Sequence, residues 1–393
     1  MIVASCPVLE WAASGAMWLT GREDGPPSAP SAPVIGALRS ALDELDVPED
    51  PGVLLTQRAS SRRLRRRGAT SVGGRCRLVR AADGWVAVNL AREEDVELVP
   101  AVVGEPIAGD PWSALDGYAR GTTAPGLAAR SQLVGIPAAA LPLHPRRAEA
   151  PFHVVPLGAP ADRPTACPLV VDLGALWAGP LCAHLLAQGG ARVVKVEDTG
   201  RPDGSREGDP WLYGHLNGGA DEVRFDFSSP SGRAGLRALV DRADVVIEGS
   251  RPRALRRLGL RPRSFLAARP GRTWVGITGY GRTGPWAGRV AFGDDAAVAA
   301  GLVAWSGDEP VFCADAVADP VAGVYAALGV SRSRAAGGGH LVDVAMRRAV
   351  AFACAGAPCP EEHPVEHRGG DRWVVRHLDL VQEVCWPAPV VDP

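Results

Sequence analysis

The pattern of apolar and polar positions changes character near residue 168. Downstream, short apolar runs of strand length alternate with longer stretches of helical period. "LVVDL" reads as a strand, "GPLCAHLLAQGG" as a helix closed by Gly189-Gly190, and "ARVVKVED" as a second strand, which together make a βαβ unit. The scheme continues with a short strand "VRFDF", a helix "SSPSGRAGLRALVDRA", a strand "DVVIEGS", a short helix "RPRALRRLGL" and a strand "TWVGITGYG". Such alternation predicts an α/β fold, a Rossmann-like and mostly parallel sheet with helices on both faces. Ligands then belong at the carboxyl ends of the strands, around 172–180, 247–252 and 277–285.

Upstream the pattern is different. Residues 81–104 predict a turn at Asp83-Gly84, a strand "WVAVNL" and then a short helix or loop, and 112–137 read as largely helical. Residues 1–140 are therefore expected to form a smaller α+β unit, joined by a proline-rich linker at 141–168 to a core spanning 169–393. A weak internal repeat crosses this division. "ASGAMWLTG" (13–21) parallels "AAGLVAWSG" (299–307), and "APVIGALRSAL" (32–42) parallels "DPVAGVYAAL" (319–328). Asp319 in the second copy thus corresponds to Ala32 in the first. A structural device is expected in both copies, whereas a reactive group can be absent from one.

Composition narrows the function classes. A chain of 393 residues has length for two domains or one elaborate one, and a net charge of -2 excludes a general polyanion binder, so no nucleic-acid partner is expected. The arginine cluster "RASSRRLRRRG" (58–68) lacks interleaved aromatics and reads as a solvated face. Without an apolar run of about 18 residues, or a charged region ahead of the short amino-terminal apolar stretch, no membrane association is expected and a cytoplasmic protein is. The eight cysteines show no C-x-x-C and read mostly as small core residues. His363 and His367 are four apart, but Pro364 between them opposes a shared helical face, so they read as loop residues and no metal site is expected.

The stretch "VFCADAVADPVAGVYAAL" (311–328) carries the main chemical question. Asp319, followed by proline and an apolar run, has the signature of a helix cap. A carboxylate at a helix N-terminus also feels the positive end of the dipole, which favours the ionised form that a nucleophile needs. A dinucleotide site is the other reading that the βαβ unit invites. Its loop, Gly174 to Gly179-Pro180, is not G-x-G-x-x-G, and only Glu197 at the second strand's end is placed to hold a ribose. No P-loop, G-x-S-x-G or H-E-x-x-H occurs.

Four motifs in order, "VVDLGALWAGPLCAHLLAQGGARVVKVE", "ADVVIEGSRPRALRRLGL", "ITGYGRTGPWAGR" and "ADPVAG...VDVAM", resemble the class III CoA-transferase family, the formyl-CoA and carnitine CoA-transferase group. The similarity runs from about 168 to 350. "SGAMWLTGREDGPP" and "AADGWVAVNL" are similar to segments found late in ordinary members, so the chain looks like a trimmed tandem duplication or a permuted arrangement. The resemblance implies transfer of CoA between an acyl-CoA and a carboxylic acid, with coenzyme A as substrate and no permanently bound cofactor. It places Asp319 as the catalytic nucleophile, and Ala175, Trp177 and Ala178 in the first βα loop against CoA. It further places Gly249 and Ser250 in the loop after the third strand and Arg257 near the phosphates. Gly279, Tyr280 and Gly281 fall where oxyanion donors or substrate contacts would lie, and a homodimer is the assembly implied.

Departures from the family pattern are equally specific. Ala220 and Asp221 replace a basic pair, Gly249-Ser250 replaces Asn-Phe, and Asp198 stands where some members have arginine. Each removes a charge or contact expected to help hold CoA, and the sequence does not place arginines 58 to 67 near enough to compensate. Two alternatives follow. A non-catalytic binding subunit accords with the lost basic residues. An acyl-CoA racemase needs a histidine where "VAFGDDAAVAAG" offers Phe292 and Gly293.

Overall fold

The computed structural model describes residues 6–390 apart from positions 164, 250, 251, 357, 358, 360 and 361. Its centre is a seven-stranded sheet in the order His153–Pro156, His340–Ala345, Thr273–Thr278, Val245–Glu248, Leu169–Asp172, Arg192–Asp198, Asp221–Phe225. All neighbours pair in parallel except the first two, which pair antiparallel. The inner strands are covered on both faces, which is why they read as continuous apolar runs: Val170, Val171, Val245, Val246 and Ile247 are all fully buried. The α/β architecture expected from the alternation is therefore the observed one.

One strand escaped the pattern. His153–Pro156 lies inside the expected linker yet forms the sheet's antiparallel edge, with Val154 opposite Val342. Proline is compatible with an edge strand, and all four residues stay exposed, so neither alternation nor burial marks them in the sequence.

The helix Ala318–Ala335 runs through the middle of the molecule and is buried almost all round. Small residues allow this: a Cβ on Gly323 would lie 2.9 Å from the Ala178 carbonyl oxygen of the first βα helix. The first-copy helix Val34–Leu45 packs along it, with an Arg332–Glu44 ion pair at 2.6 Å. That helix, together with Pro7–Ala13 and Pro51–Ser61, shares the main core. Residues from Val79 to Ala138 instead surround a core of their own, built on the antiparallel sheet Cys76–Arg80, Trp85–Asn89, Ala138–Ala140. The cores thus divide near residue 75 and again between Ala138 and Phe152, at the proline-rich stretch. A second antiparallel sheet, Val365–His367, Trp373–His377 and Leu380–Glu383, packs against Pro7–Ala13. No helix among the described residues is long and apolar enough to cross a membrane.

Candidate active site

Asp319 is the second residue of its helix, not the cap: Val317 occupies the cap position and the Asp319 N–H donates to the Ala316 carbonyl at 2.9 Å. Its side chain points at another helix start. Gly293 opens the helix Gly293–Ala299, and its backbone N–H bonds to the Asp319 carboxylate. The two termini meet so closely that a Cβ on Gly293 would fall 2.4 Å from Asp319 Oδ2 and 2.2 Å from the Ala316 carbonyl oxygen. Glycine is needed here for space rather than for backbone angle. Asp319 as a residue is intermediate in exposure, while its carboxyl group is closely surrounded by protein.

Three further charges surround it. Asp315 is wholly buried and accepts a two-point contact from Arg58, through Nε at 2.8 Å and through Nη2. Asp294 accepts the Ala316 N–H at 3.1 Å, so it pins the turn that leads into the Asp319 helix. Above the guanidinium of Arg58 lies the ring of Trp177, at 5.3 Å. Arg58 belongs to the arginine cluster read above as a solvated face. That reading is corrected for this residue: the Pro51–Ser61 helix shares the main core and delivers its last-turn arginine to a buried carboxylate.

The local backbone is strained at the same place. Leu176 (φ 68°), Ala314 (φ 45°) and Ala316 (φ 45°) are three of the six non-glycine residues in the left-handed region among the described residues. Two of them flank Asp315 and the third is in the first βα loop. Each such residue costs roughly 1 kcal/mol or more, and strain of this kind persists where packing over-determines a functional geometry.

Electrostatics follow from crowding. Burial pushes the Asp319 carboxyl up to about 7; Arg58 opposes the rise, and Asp294 and Asp315 add to it. Burial likewise raises Asp294 to about 6, with Asp315 adding and Arg58 opposing. Asp295, turned toward the small unit and accepting from Asn89 Nδ2 at 3.2 Å, is lifted by burial to about 8. The result is a carboxylate poised to change charge near neutrality.

The other residues singled out from sequence are spread unevenly. Ala175 is exposed at the loop tip, whereas Ala178 and Trp177 are buried, Trp177 at 3 % exposure. Trp177, which the resemblance places against CoA, has its ring covered by protein, with Arg58 on one face. Gly279 abuts Ala291, two residues before Gly293, since a Cβ there would sit 2.4 Å from the Ala291 Cβ. Gly281 commits its N–H to Thr278 Oγ1 at 2.9 Å, which removes it as a free oxyanion donor. Gly249 is exposed after its strand, Arg257 is exposed on the last turn of Pro252–Arg257, and Ser250 lies outside the described residues. Of the departures, Asp221 pairs with Arg192 at 2.8 Å on neighbouring strands. Glu197 cannot serve a ribose, because Arg206, Tyr213 (2.9 Å) and the Asp203 N–H (3.0 Å) already occupy its oxygens.

Two features were missed in the sequence. Lys195, between Val194 and Val196 of the strand Arg192–Asp198, is buried and donates to Gly174 O at 2.8 Å and Asp203 Oδ2 at 2.9 Å. Asp203 in turn accepts the Leu176 N–H at 3.0 Å, so this pair fixes the first βα loop. The second feature is a cleft of about 360 Å³ between the small unit and the loop after Thr273–Thr278. Tyr280, with a buried hydroxyl lacking a partner, lines it beside Arg289 and Arg347, which flank the Trp286 ring at 4.3 and 5.1 Å. The arrangement offers an anion two guanidinium groups on an apolar floor.

Comparison with known proteins bears on this geometry. A family model described as CoA-transferase family III matches residues 169–373. Succinyl-CoA–D-citramalate CoA-transferase of Chloroflexus aurantiacus is 32 % identical over 195 residues, covering 46 % of this chain and 48 % of that protein. Succinate–glutarate CoA-transferase of Agrobacterium fabrum is 30 % identical over 197 residues, covering 45 % and 49 %. A CaiB/BaiF family protein from Brucella suis, of solved structure, superposes with a TM-score of 0.44 at 29 % identity, covering 49 % of this chain and 56 % of that one. The chain spans about half the length of these curated relatives.

Proposed function

The chain belongs to CoA-transferase family III, and from that premise we propose that it moves CoA between an acyl-CoA and a carboxylic acid with Asp319 as nucleophile. The observation that carries this reading is the Asp319 carboxylate, held between two helix starts beside Arg58, Asp294 and Asp315 and lifted by burial to about 7.

Asp319 Oδ would attack the thioester carbonyl carbon, the C–S bond breaks, and CoA leaves as thiolate with a mixed anhydride on the enzyme. The thiolate then attacks Asp319 Cγ, releasing the first acid as carboxylate and leaving an aspartyl-CoA thioester. An incoming carboxylate repeats the two steps in reverse order: it displaces thiolate to give a new anhydride, and the thiolate attacks the new acyl carbon, restoring Asp319. No proton transfer is needed, because every entering and leaving group is an anion. The Gly293 N–H, already bonded to the carboxylate, is in place to stabilise the oxyanion formed at Cγ. The cleft beside Arg289 and Arg347 suits an anionic part of either substrate.

Racemase chemistry draws no support from the site. The ionisable groups acting on Asp319 are Arg58, Asp294 and Asp315, and position 292 is Phe. Incubation with a panel of acyl-CoAs followed by intact-protein mass spectrometry tests the proposal. An acyl or CoA adduct that is absent in Asp319→Asn supports it. Binding of CoA esters without adduct or turnover in the wild type would establish a non-catalytic binding protein instead.

A further inference from the structure

Four ligand-type side chains converge beside the sheet Val365–His367, Trp373–His377, Leu380–Glu383. Cys6, Cys359, His363 and His377 each bring one ligand atom within 4.8 Å of all the others. Cys6 immediately precedes the helix Pro7–Ala13, Cys359 and His363 follow the helix Met346–Ala353, and His377 ends the strand Trp373–His377. The Cys6 and Cys359 sulfurs are 3.5 Å apart, and His363 Nε2 lies 3.0 Å from the first and 3.5 Å from the second. The two imidazole rings are nearly parallel, with centroids 4.7 Å apart. His377 is 6 % exposed, and its buried Nδ1 has no hydrogen-bond partner among the described residues.

The four ligand atoms are close enough together to surround one ion: the three spacings given are at or below the edges of a coordination tetrahedron, and His377 is within 4.8 Å of the rest. With Zn–S near 2.3 Å and Zn–N near 2.05 Å, tetrahedral edges are about 3.8 Å between sulfurs and about 3.5 Å between sulfur and nitrogen. Simpler accounts explain less. A disulfide would leave both histidines without a purpose, and needs sulfurs at about 2.05 Å. Hydrogen bonds among the thiols and the His363 imidazole account for those three contacts but not for the buried His377 Nδ1, which has no partner among the described residues.

We propose that Cys6, Cys359, His363 and His377 form a structural zinc site. On binding, each thiol loses a proton to solvent and the imidazoles bind as neutral rings, so Zn²⁺ with two thiolates makes a site of zero net charge, suited to partial burial. Four protein ligands leave no open position, so the ion's role is to hold the fold rather than to act on a substrate. Its value lies in the connection: the ligands from Cys6 and Cys359 are 353 residues apart. A metal there fastens the start of the chain to a three-stranded sheet whose Leu380 and Val381 are solvent-exposed and which buries little core of its own. The proposal does not depend on the reading of Asp319.

The test is elemental analysis of the full chain, purified without chelators or metal-affinity tags, incubated with ZnCl₂ and desalted. About one zinc per chain is expected, and Co²⁺ in its place should give the intense visible bands of a tetrahedral thiolate complex. Cys6→Ser and Cys359→Ser should each lower retained zinc by about tenfold or more, while Cys385→Ser and His367→Ala should not. If the cysteine variants fail to fold, the wild-type measurement still decides. Retention of less than about a tenth of an equivalent, an octahedral cobalt spectrum, or a Cys6–Cys359 disulfide in protein kept under reducing conditions would each overturn the proposal.

Discussion

Gly293→Ala isolates the placement of Asp319 from its chemistry. Gly293 has no left-handed backbone angle, and alanine is the better helix former by about 1 kcal/mol, so the substitution carries no conformational penalty. What it adds is one methyl group, 2.4 Å from Asp319 Oδ2 and 2.2 Å from the Ala316 carbonyl oxygen. Restoring ordinary contact requires movement of roughly 0.8–1 Å. Neither neighbour yields freely, since the oxygen belongs to a backbone already strained at Ala316, and the carboxylate is bonded to the Gly293 N–H. Overpacking of this kind costs about 1–3 kcal/mol in stability. A displacement near 1 Å at a reacting group costs about 100-fold in rate. The assay is CoA exchange between an acyl-CoA and a free acid, read beside thermal unfolding at the same pH. A variant that loses about two orders of magnitude in kcat while remaining folded at the assay temperature fits the reasoning. Full activity, with an unchanged pH profile, would refute the claim that this contact sets the nucleophile's position.

Other consequences can be checked separately. Because the reactive form of Asp319 is the carboxylate, kcat/KM should rise with pH through about 7 and level off above it, as a pH–rate profile with a non-ionising acyl group will show. Arg58→Ala leaves Asp315 buried without its partner and should lower stability by about 3 kcal/mol in urea titration. It should also move the rate profile toward higher pH, because a cation that favours the ionised Asp319 is gone. Asp295 has a folded pKa of about 8, above its unfolded value, so its contribution to stability is complete below about pH 4 and lost as pH rises through 8. Wild-type Tm should therefore fall between about pH 4 and 8 and level off above that, and Asp295→Asn should flatten that decline; an equally steep fall in the variant would show that other groups cause it.

The sheet was legible because its inner strands are buried on both faces and so appear as unbroken apolar runs such as "LVVDL" and "DVVIEGS". Helix ends were legible where capping chemistry is local, as at Ser229, whose hydroxyl accepts the Gly232 N–H at 3.0 Å, and at Gly189. The edge strand His153–Pro156 was not, because an exposed four-residue strand among prolines has no pattern to show. Within the site, Asp319 could be singled out by its neighbours in sequence, but its environment could not. Arg58 meets Asp315 across 257 residues, and the helix Pro51–Ser61 that carries it looks like any surface helix until its packing partner is known. The four-residue cluster at Cys6 escaped for the same reason: its two cysteines are 353 residues apart, and the imidazole beside His363 is that of His377, fourteen positions on, rather than the near neighbour His367 that the sequence reading considered and set aside. Trp177 shows the opposite failure, a residue whose type suggests a ligand contact and whose packing forbids it.

The raised pKa of Asp319 gives physical sense to a cluster that would otherwise be a defect. Bringing Asp294, Asp315 and Asp319 together around one arginine is costly, and packing selected for stability alone would separate them or replace two by amides. For a carboxylate nucleophile the same crowding is useful. An ordinary carboxylate, fully ionised at pH 7, is weakly basic and well solvated, so it attacks a thioester poorly. A carboxylate with a pKa near 7 forgoes only half its ionised population at that pH, while the ionised half is more basic and less hydrated. The repeat is consistent with this. Helix Val34–Leu45 keeps the packing role of its counterpart Ala318–Ala335, yet Ala32 stands at the position of Asp319, and the counter-charge Arg58 comes from the next helix, Pro51–Ser61. A carboxylate kept only for capping would be needed in both copies, whereas a nucleophile with its tuning arginine is needed once.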